Sequence, residues 1–297
     1  MTARGRPESY ITVKVPAWAT IRFGRILLAA LTTGSVLAVA APAAEASFGV
    51  SSWEAYTCVE SGCKDSPPSG LYLQAAGHPN FGITDFGFKF TEALLAKTPE
   101  GNVKDVRVDL PQGLSVNPEA TIQCTEAELN ASACPPESQV GVDDATGTAD
   151  FELGVRATLP QEFPVFNMVR NPGEPARFGV EIKIPLVANV RSYLEGGISW
   201  HHETETAESS GVPTGDYHEF FEIKEFPKSP ELVESRLIFW GVPQEHTHLG
   251  APAAFITLPS TCSSRPVTTL HVDSYEDPGA FSATPTKRRS RRPAAIS

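Results

Sequence analysis

Lys104-Asp105-Val106-Arg107-Val108-Asp109-Leu110 decides the fold class. Val106, Val108 and Leu110 point to one side and Asp105, Arg107 and Asp109 to the other, the period-two pattern of a strand with one buried and one wet face. The same alternation returns at residues 86–90, where Phe86, Phe88 and Phe90 share a face. It returns again at 180–186 through Val180, Ile182, Ile184 and Leu186, with Pro185 marking an edge or a strand end. Further strand candidates are 148–155, 221–226, 236–240, 254–258 and 269–274. Turn chemistry separates them at Pro111-Gln112-Gly113, Asn171-Pro172-Gly173-Glu174-Pro175, Glu195-Gly196-Gly197, Gly211-Val212-Pro213 and Gly241-Val242-Pro243. No segment holds a helical stripe beyond three turns, although 90–97 fits a short helix. Short strands between Gly/Pro turns predict an all-β antiparallel fold, sandwich-like or barrel-like.

One small helix stands out. Thr125-Glu126-Ala127-Glu128 has the capping-box form with Leu129 following, and Cys124 and Cys134 flank it. A Cys124–Cys134 bridge closes a short loop over that helical turn, and Cys58–Cys63 closes a smaller one. Cys262 is left unpaired, which in an exported chain points to an intermolecular bridge or a missing partner. The spacings match no paired C-x-x-C zinc set.

The pairings require an oxidising compartment, and the N-terminus supplies the reason. Residues 1–46 read as a secretory signal peptide: Arg4, Arg6, Lys14, Arg22 and Arg25 precede an uncharged apolar run, and Ala44-Glu45-Ala46 forms an A-x-A site with cleavage before Ser47. The alternative is a membrane anchor. The apolar run from Ile26 to Ala41 is 16 residues long and is interrupted by Thr32-Thr33-Gly34-Ser35. That is shorter than the about 20 residues of a spanning helix, and a cleaved signal is the expectation.

The remaining 47–280 is expected to be a β-rich extracellular region, one large domain or two packed subdomains. The chain carries 24 basic and 35 acidic residues; five basic and two acidic lie in 1–46, and five basic lie in 287–297. The body between therefore holds 14 basic against 33 acidic side chains, which repels phosphate backbones and excludes sequence-independent nucleic-acid binding. Residues 281–297 end in Lys287-Arg288-Arg289-Ser290-Arg291-Arg292. They read either as a disordered basic tail attracted to anionic wall polymers or as the out-of-frame end of a longer chain, which would also explain Cys262.

Catalytic templates fail: there is no G-x-S-x-G elbow, no phosphate-cradling loop and no G-x-G-x-x-G fingerprint, so no catalytic or cofactor residue is expected. His201 and His202 with Glu203, Glu205 and Glu208, together with His218, His246 and His248, are the raw material of a His/carboxylate metal site, with solvated loop histidines as the plainer reading. Asp143, Asp144 and Asp150 around Thr146-Gly147-Thr148 faintly resemble a calcium loop, against which stands a turn leading into a strand at 148–155. Carboxylates are too abundant for a glycosidase pair to be chosen. Tyr72, Trp200 and Trp240 are candidates for a sugar platform or for the core.

Several phrases taken in order carry a resemblance. Gln74-Ala75-Ala76-Gly77-His78-Pro79, Leu110-Pro111-Gln112-Gly113-Leu114 with Asn117-Pro118 and Cys124, and Cys134-Pro135 with Ser138-Gln139-Val140-Gly141 come first. Gly173-Glu174-Pro175-Ala176-Arg177-Phe178-Gly179, Trp240-Gly241-Val242-Pro243, Leu258-Pro259-Ser260-Thr261-Cys262 and Ser274-Tyr275-Glu276-Asp277-Pro278-Gly279 follow. Together they resemble a group of large exported surface proteins of high-GC soil actinobacteria with no established activity. The resemblance covers most of 70–280 and carries over no functional residue. Members of the group run on beyond this point, and the present chain departs by ending in its basic tail.

The expectation for function is an exported β-rich structural or adhesive module of the cell envelope, without catalysis, cofactor or membrane span once the signal is removed. Its expected partners are cell-wall polymers or other surface proteins. A carbohydrate-binding or carbohydrate-cleaving domain and a His/Glu metal-binding protein are the alternatives.

Overall fold

Alternation in sequence becomes pairing in space in the computed structural model, which describes residues 48–63, 70–151, 154–185, 187–202, 215–260 and 266–286. The expected signal peptide, Leu186, the Gly211-Val212-Pro213 turn, Glu203, Glu205, Glu208, Cys262 and the terminal basic run lie outside the described residues.

In chain order the strands are β1 (Val50–Cys58), β2 (Phe81–Phe88), β3 (Phe90–Glu92), β4 (Lys97–Pro99), β5 (Val103–Asp109), β6 (Ser115–Val116), β7 (Gln139–Phe151) and β8 (Val155–Asn167). They continue with β9 (Arg177–Ile184), β10 (Ala188–His202), β11 (Gly215–Ile223), β12 (Glu231–Trp240), β13 (Ile256–Thr257), β14 (Thr269–Ser274) and β15 (Ser282–Pro285). Two short helices, α1 (Glu126–Asn130) and α2 (Gln244–Thr247), lie between β6 and β7 and between β12 and β13.

Eleven strands form one sheet in the order β1-β2-β12-β7-β8-β9-β10-β11-β5-β14-β15. Every pairing within it is antiparallel. The two ends of the sheet come back together: β1 lies against β15, and the Trp53 indole N–H donates to the Thr268 carbonyl at 3.4 Å. Near-closure hides the backbone edges that an open sheet of this width would present. The all-β antiparallel fold expected from the sequence is what forms, and its opposing walls pack across a common interior. Phe178 on β9 meets Phe221 on β11, Phe239 on β12 and Phe255 just before β13, with ring centroids 4.9–5.8 Å apart.

One row of the outward face is charged, and the row beside it, Tyr56, Ile83, Ile238 and Val142, is apolar. Asp85, Arg236, Asp144 and Glu162 stand opposite one another on β2, β12, β7 and β8, and Arg236 bridges to Asp85 at 3.2 Å. Among the described residues no helix is long and apolar enough to cross a membrane.

Both predicted bridges form, Cys58–Cys63 and Cys124–Cys134. The capping box is present as read: the Glu128 amide donates to Thr125 Oγ1, and the Thr125 amide donates to the Glu128 carboxylate. Helix α1 drops its fully buried Leu129 onto the outer face of β9, where Gly179 leaves room for it. A Cβ at Gly179 would stand 2.7 Å from Leu129 Cδ2 and 2.8 Å from Met168 Sδ. Cys124→Ser is expected to cost about 3 kcal/mol by releasing this loop in the unfolded chain. Urea unfolding checks it, and a loss under about 1 kcal/mol would mean that the Leu129 contacts alone hold α1.

Four local expectations are corrected. Residues 90–97 form no helix but the β3–β4 hairpin, Phe90 pairing with Pro99. A helix this short gains too little from its own hydrogen bonds, whereas the Lys97 amide gains Thr158 Oγ1 at 2.7 Å. The strand expected at 148–155 is divided between two: Thr148–Phe151 end β7 and Val155 begins β8, with Thr148 opposite Thr158. Glu195-Gly196-Gly197 is not a turn but the middle of β10. Its glycines admit close neighbours, since a Cβ on Gly196 or Gly197 would run into Ala176 O or the Phe220 ring. The expected tail begins too early at 281, because Ser282–Pro285 adds β15 to β14.

Candidate functional site

Inward side chains do not fill the sheet completely. They leave a cavity of about 2730 Å³ with lining residues from all eleven strands of the main sheet. Its walls are mainly apolar, as at Phe86, Phe163, Ile182, Leu194, Leu237 and Phe239. Small-molecule sites typically occupy about 300–1,000 Å³, so the space suits an extended molecule.

Polar and charged groups interrupt the wall on most strands, among them Asp143, Gln161, Ser192, His218 and His271. Asp143 faces inward from β7, with Leu237 of β12 on one side and Phe163 of β8 on the other. The Ser235 hydroxyl donates to Asp143 Oδ1 at 2.8 Å. Burial pushes this carboxyl up to about 6; the Ser235 hydrogen bond pulls it down, and the neighbouring charge of Asp144 adds to the rise. Across the interior, Ser192 on β10 is buried with its hydroxyl making no hydrogen bond.

A raised carboxyl favours the folded state in its neutral form. Its stabilising effect is complete below the unfolded value near 3.8 and is lost as pH rises through about 6. Asp143→Asn is therefore expected to match the wild type near pH 4 and to exceed it by about 2 kcal/mol at pH 7.5. Urea midpoints at the two pH values test this; equal midpoints at pH 7.5 would show that the carboxylate is well solvated.

A second polar cluster, Arg107, Asp109, His218 and His271, lies at the cavity margin on β5, β11 and β14. Asp109 is buried, and its carboxylate receives Arg107 Nη2 at 2.6 Å, His218 Nε2 at 2.8 Å and His271 Nε2 at 2.8 Å. The Arg107 guanidinium lies 3.7 Å over the Phe220 ring. Burial alone would raise Asp109, but the hydrogen bonds from His271, Arg107 and His218 outweigh it and hold the carboxyl well below the usual range. The cluster ties β5 to β11 and β14. Both imidazoles aim Nε2 at the carboxylate rather than at a shared point, and among the described residues no group of three His, Cys, Asp or Glu is arranged for a metal.

The residues singled out from the sequence disperse. His218 is joined to Asp109 and not to His246 or His248. Those two do not share a strand face: His246 sits on α2, stacked 4.5 Å from Trp240, and His248 ends that helix in the left-handed region. Pro243 begins a helical turn there instead of prolonging β12. Asp143 and Asp144 cannot converge on an ion, because successive strand residues point to opposite faces and no turn exists at Thr146-Gly147-Thr148. Of the aromatics of the expected sugar platform, Trp240 stands apart on the outer face of β12, whereas Tyr72 and Trp200 both line the cavity, Trp200 meeting Tyr217 edge-on across β10 and β11. Sequence reading placed Asp109 on a wet face and passed over His271 and Ser235. Nothing local marks them, since Asp109 meets His218 over a separation of 109 residues. Comparison with protein-family models, with curated proteins and with solved structures returned no match.

Proposed function

We propose that this chain is an exported, non-catalytic module of the cell envelope whose sheet encloses an extended, mainly apolar molecule. The observation that carries the reading is the cavity of about 2730 Å³ ringed by all eleven strands, with a mainly apolar wall. Apolar wall of this extent favours apolar guests over water. The two disulfides support an oxidising location, and the signal-like 1–46 supports export. The envelope role expected of a structural or adhesive module is kept, with an interior site added to it.

Titration with N-phenyl-1-naphthylamine, an uncharged fluorophore that brightens in apolar surroundings, tests it. Saturable binding to the wild type is expected. Ala145→Trp and Ala55→Trp, which put an indole into the cavity from β7 and from β1, are expected to weaken that binding severalfold while leaving the far-ultraviolet circular dichroism unchanged. Unaltered binding in both folded variants would place the fluorophore elsewhere and sink the reading.

A further inference from the structure

Asp143 is a carboxyl group without a cation. At its level on the neighbouring strands, the residues facing the same side are Leu237 on β12, Phe163 on β8, Thr84 on β2 and Ala55 on β1, and none of them titrates. Arg236, the nearest base along β12, points outward to Asp85 and to the Tyr56 hydroxyl. Asp144, on the same strand as Asp143, also points outward and adds only repulsion. The cations that line the cavity are already paired elsewhere: Lys104 with Asp105, Arg107 with Asp109, Lys224 with Glu222, while His218 and His271 are both joined to Asp109. Ser235 supplies one hydrogen bond, and the rest of the Asp143 carboxyl looks into apolar space.

An enclosed carboxylate of this kind is costly unless something positive meets it. A second buried polar group is also left open in the same cavity. The register row from Ser192 runs through Val180 and Val165 to Gly141, two residues from Asp143 on β7. A carboxyl with one hydrogen bond and no cation, set in a mainly apolar stretch of wall, describes the complement of a molecule: a long apolar body with a cationic head.

We propose that the cavity selects long-chain amines, the ammonium group pairing with the Asp143 carboxylate and the chain lying along the apolar walls. This rests on the reading of the interior as a binding site and names the ligand class that the site takes.

Displacement of bound N-phenyl-1-naphthylamine by dodecylamine, dodecanol and dodecanoate, three molecules of one chain length, tests the inference at pH 7.5. Dodecylamine is expected to compete at least about tenfold better than dodecanol, with dodecanoate weakest. In Asp143→Asn, still binding the fluorophore, the amine and the alcohol are expected to become equivalent. Should that variant not fold, the wild type at pH 4.5 serves instead, where protonation of Asp143 is expected to shrink the amine preference. Equal competition by all three in the wild type overturns the amine proposal and leaves the interior site standing. An amine preference that survives both Asp143→Asn and pH 4.5 removes Asp143 from the assignment. Absence of fluorophore binding altogether removes the interior site itself.

Discussion

Asp109→Ala is expected to lower the free energy of unfolding by about 3–5 kcal/mol, because it leaves the partly buried Arg107 charge without its counter-ion. The substitution also takes the acceptor from His218 and His271 on the two flanking strands, so the loss falls on the β11–β5–β14 part of the sheet. Urea unfolding at pH 7 is the direct measurement, and a change below about 1 kcal/mol would show the cluster to be fully solvated. A pH series adds a second check. With its carboxyl held well below the unfolded value, Asp109 stabilises the fold above about pH 4, and that contribution is lost as pH falls further. The Ala variant is therefore expected to show a flatter acid limb. Asp143 acts in the opposite direction over a higher range, losing its contribution as pH rises toward about 6. Taken together, the two carboxyls favour a stability maximum at mildly acid pH, and removing either shifts it.

Phe178→Ala is expected to cost about 3–5 kcal/mol, through lost burial and the hole left behind. Phe178 is fully buried and touches three other rings that come from different parts of the chain. Two strands, β7 and β8, separate β9 from β12 in the sheet, so the contact of Phe178 with Phe239 spans the interior and links opposing walls. The variant should unfold at lower urea with an unchanged slope, reporting lost stability rather than a different unfolded state. A cost below about 1.5 kcal/mol would mean that this end of the interior is already loosely packed, which would extend the cavity beyond the walls described above.

The strands whose two faces differ in polarity were legible from sequence. Residues 104–110 and 269–274 appear as β5 and β14 close to where alternation places them, and Val180, Ile182 and Ile184 all turn inward. Reading failed where a local signal has two meanings. Gly196-Gly197 carries turn chemistry, yet here glycine serves close approach to Ala176 and Phe220. In 90–97, Leu94 and Leu95 look like half of a helical stripe, but they stand exposed on a hairpin tip, where no neighbour buries them. Asp143 was read as part of a turn because its neighbours Asp144, Thr146 and Gly147 are common in turns. Pairing with β12 and β8 overrode that preference and sent the carboxyl inward.

The sequence by itself determined the all-β class, the two short disulfide loops and the capping box of α1. Each of these depends on residues within about a dozen positions of one another, so composition and spacing carry the information. Only the tertiary structure decided that the strands join in one nearly closed sheet, that Asp109 gathers Arg107, His218 and His271, and that Asp143 faces an apolar cavity without a cation. These features arise from strand order and register between distant segments. A shift of one residue in β7 would turn Asp143 to the outside and leave its amino-acid neighbours unchanged.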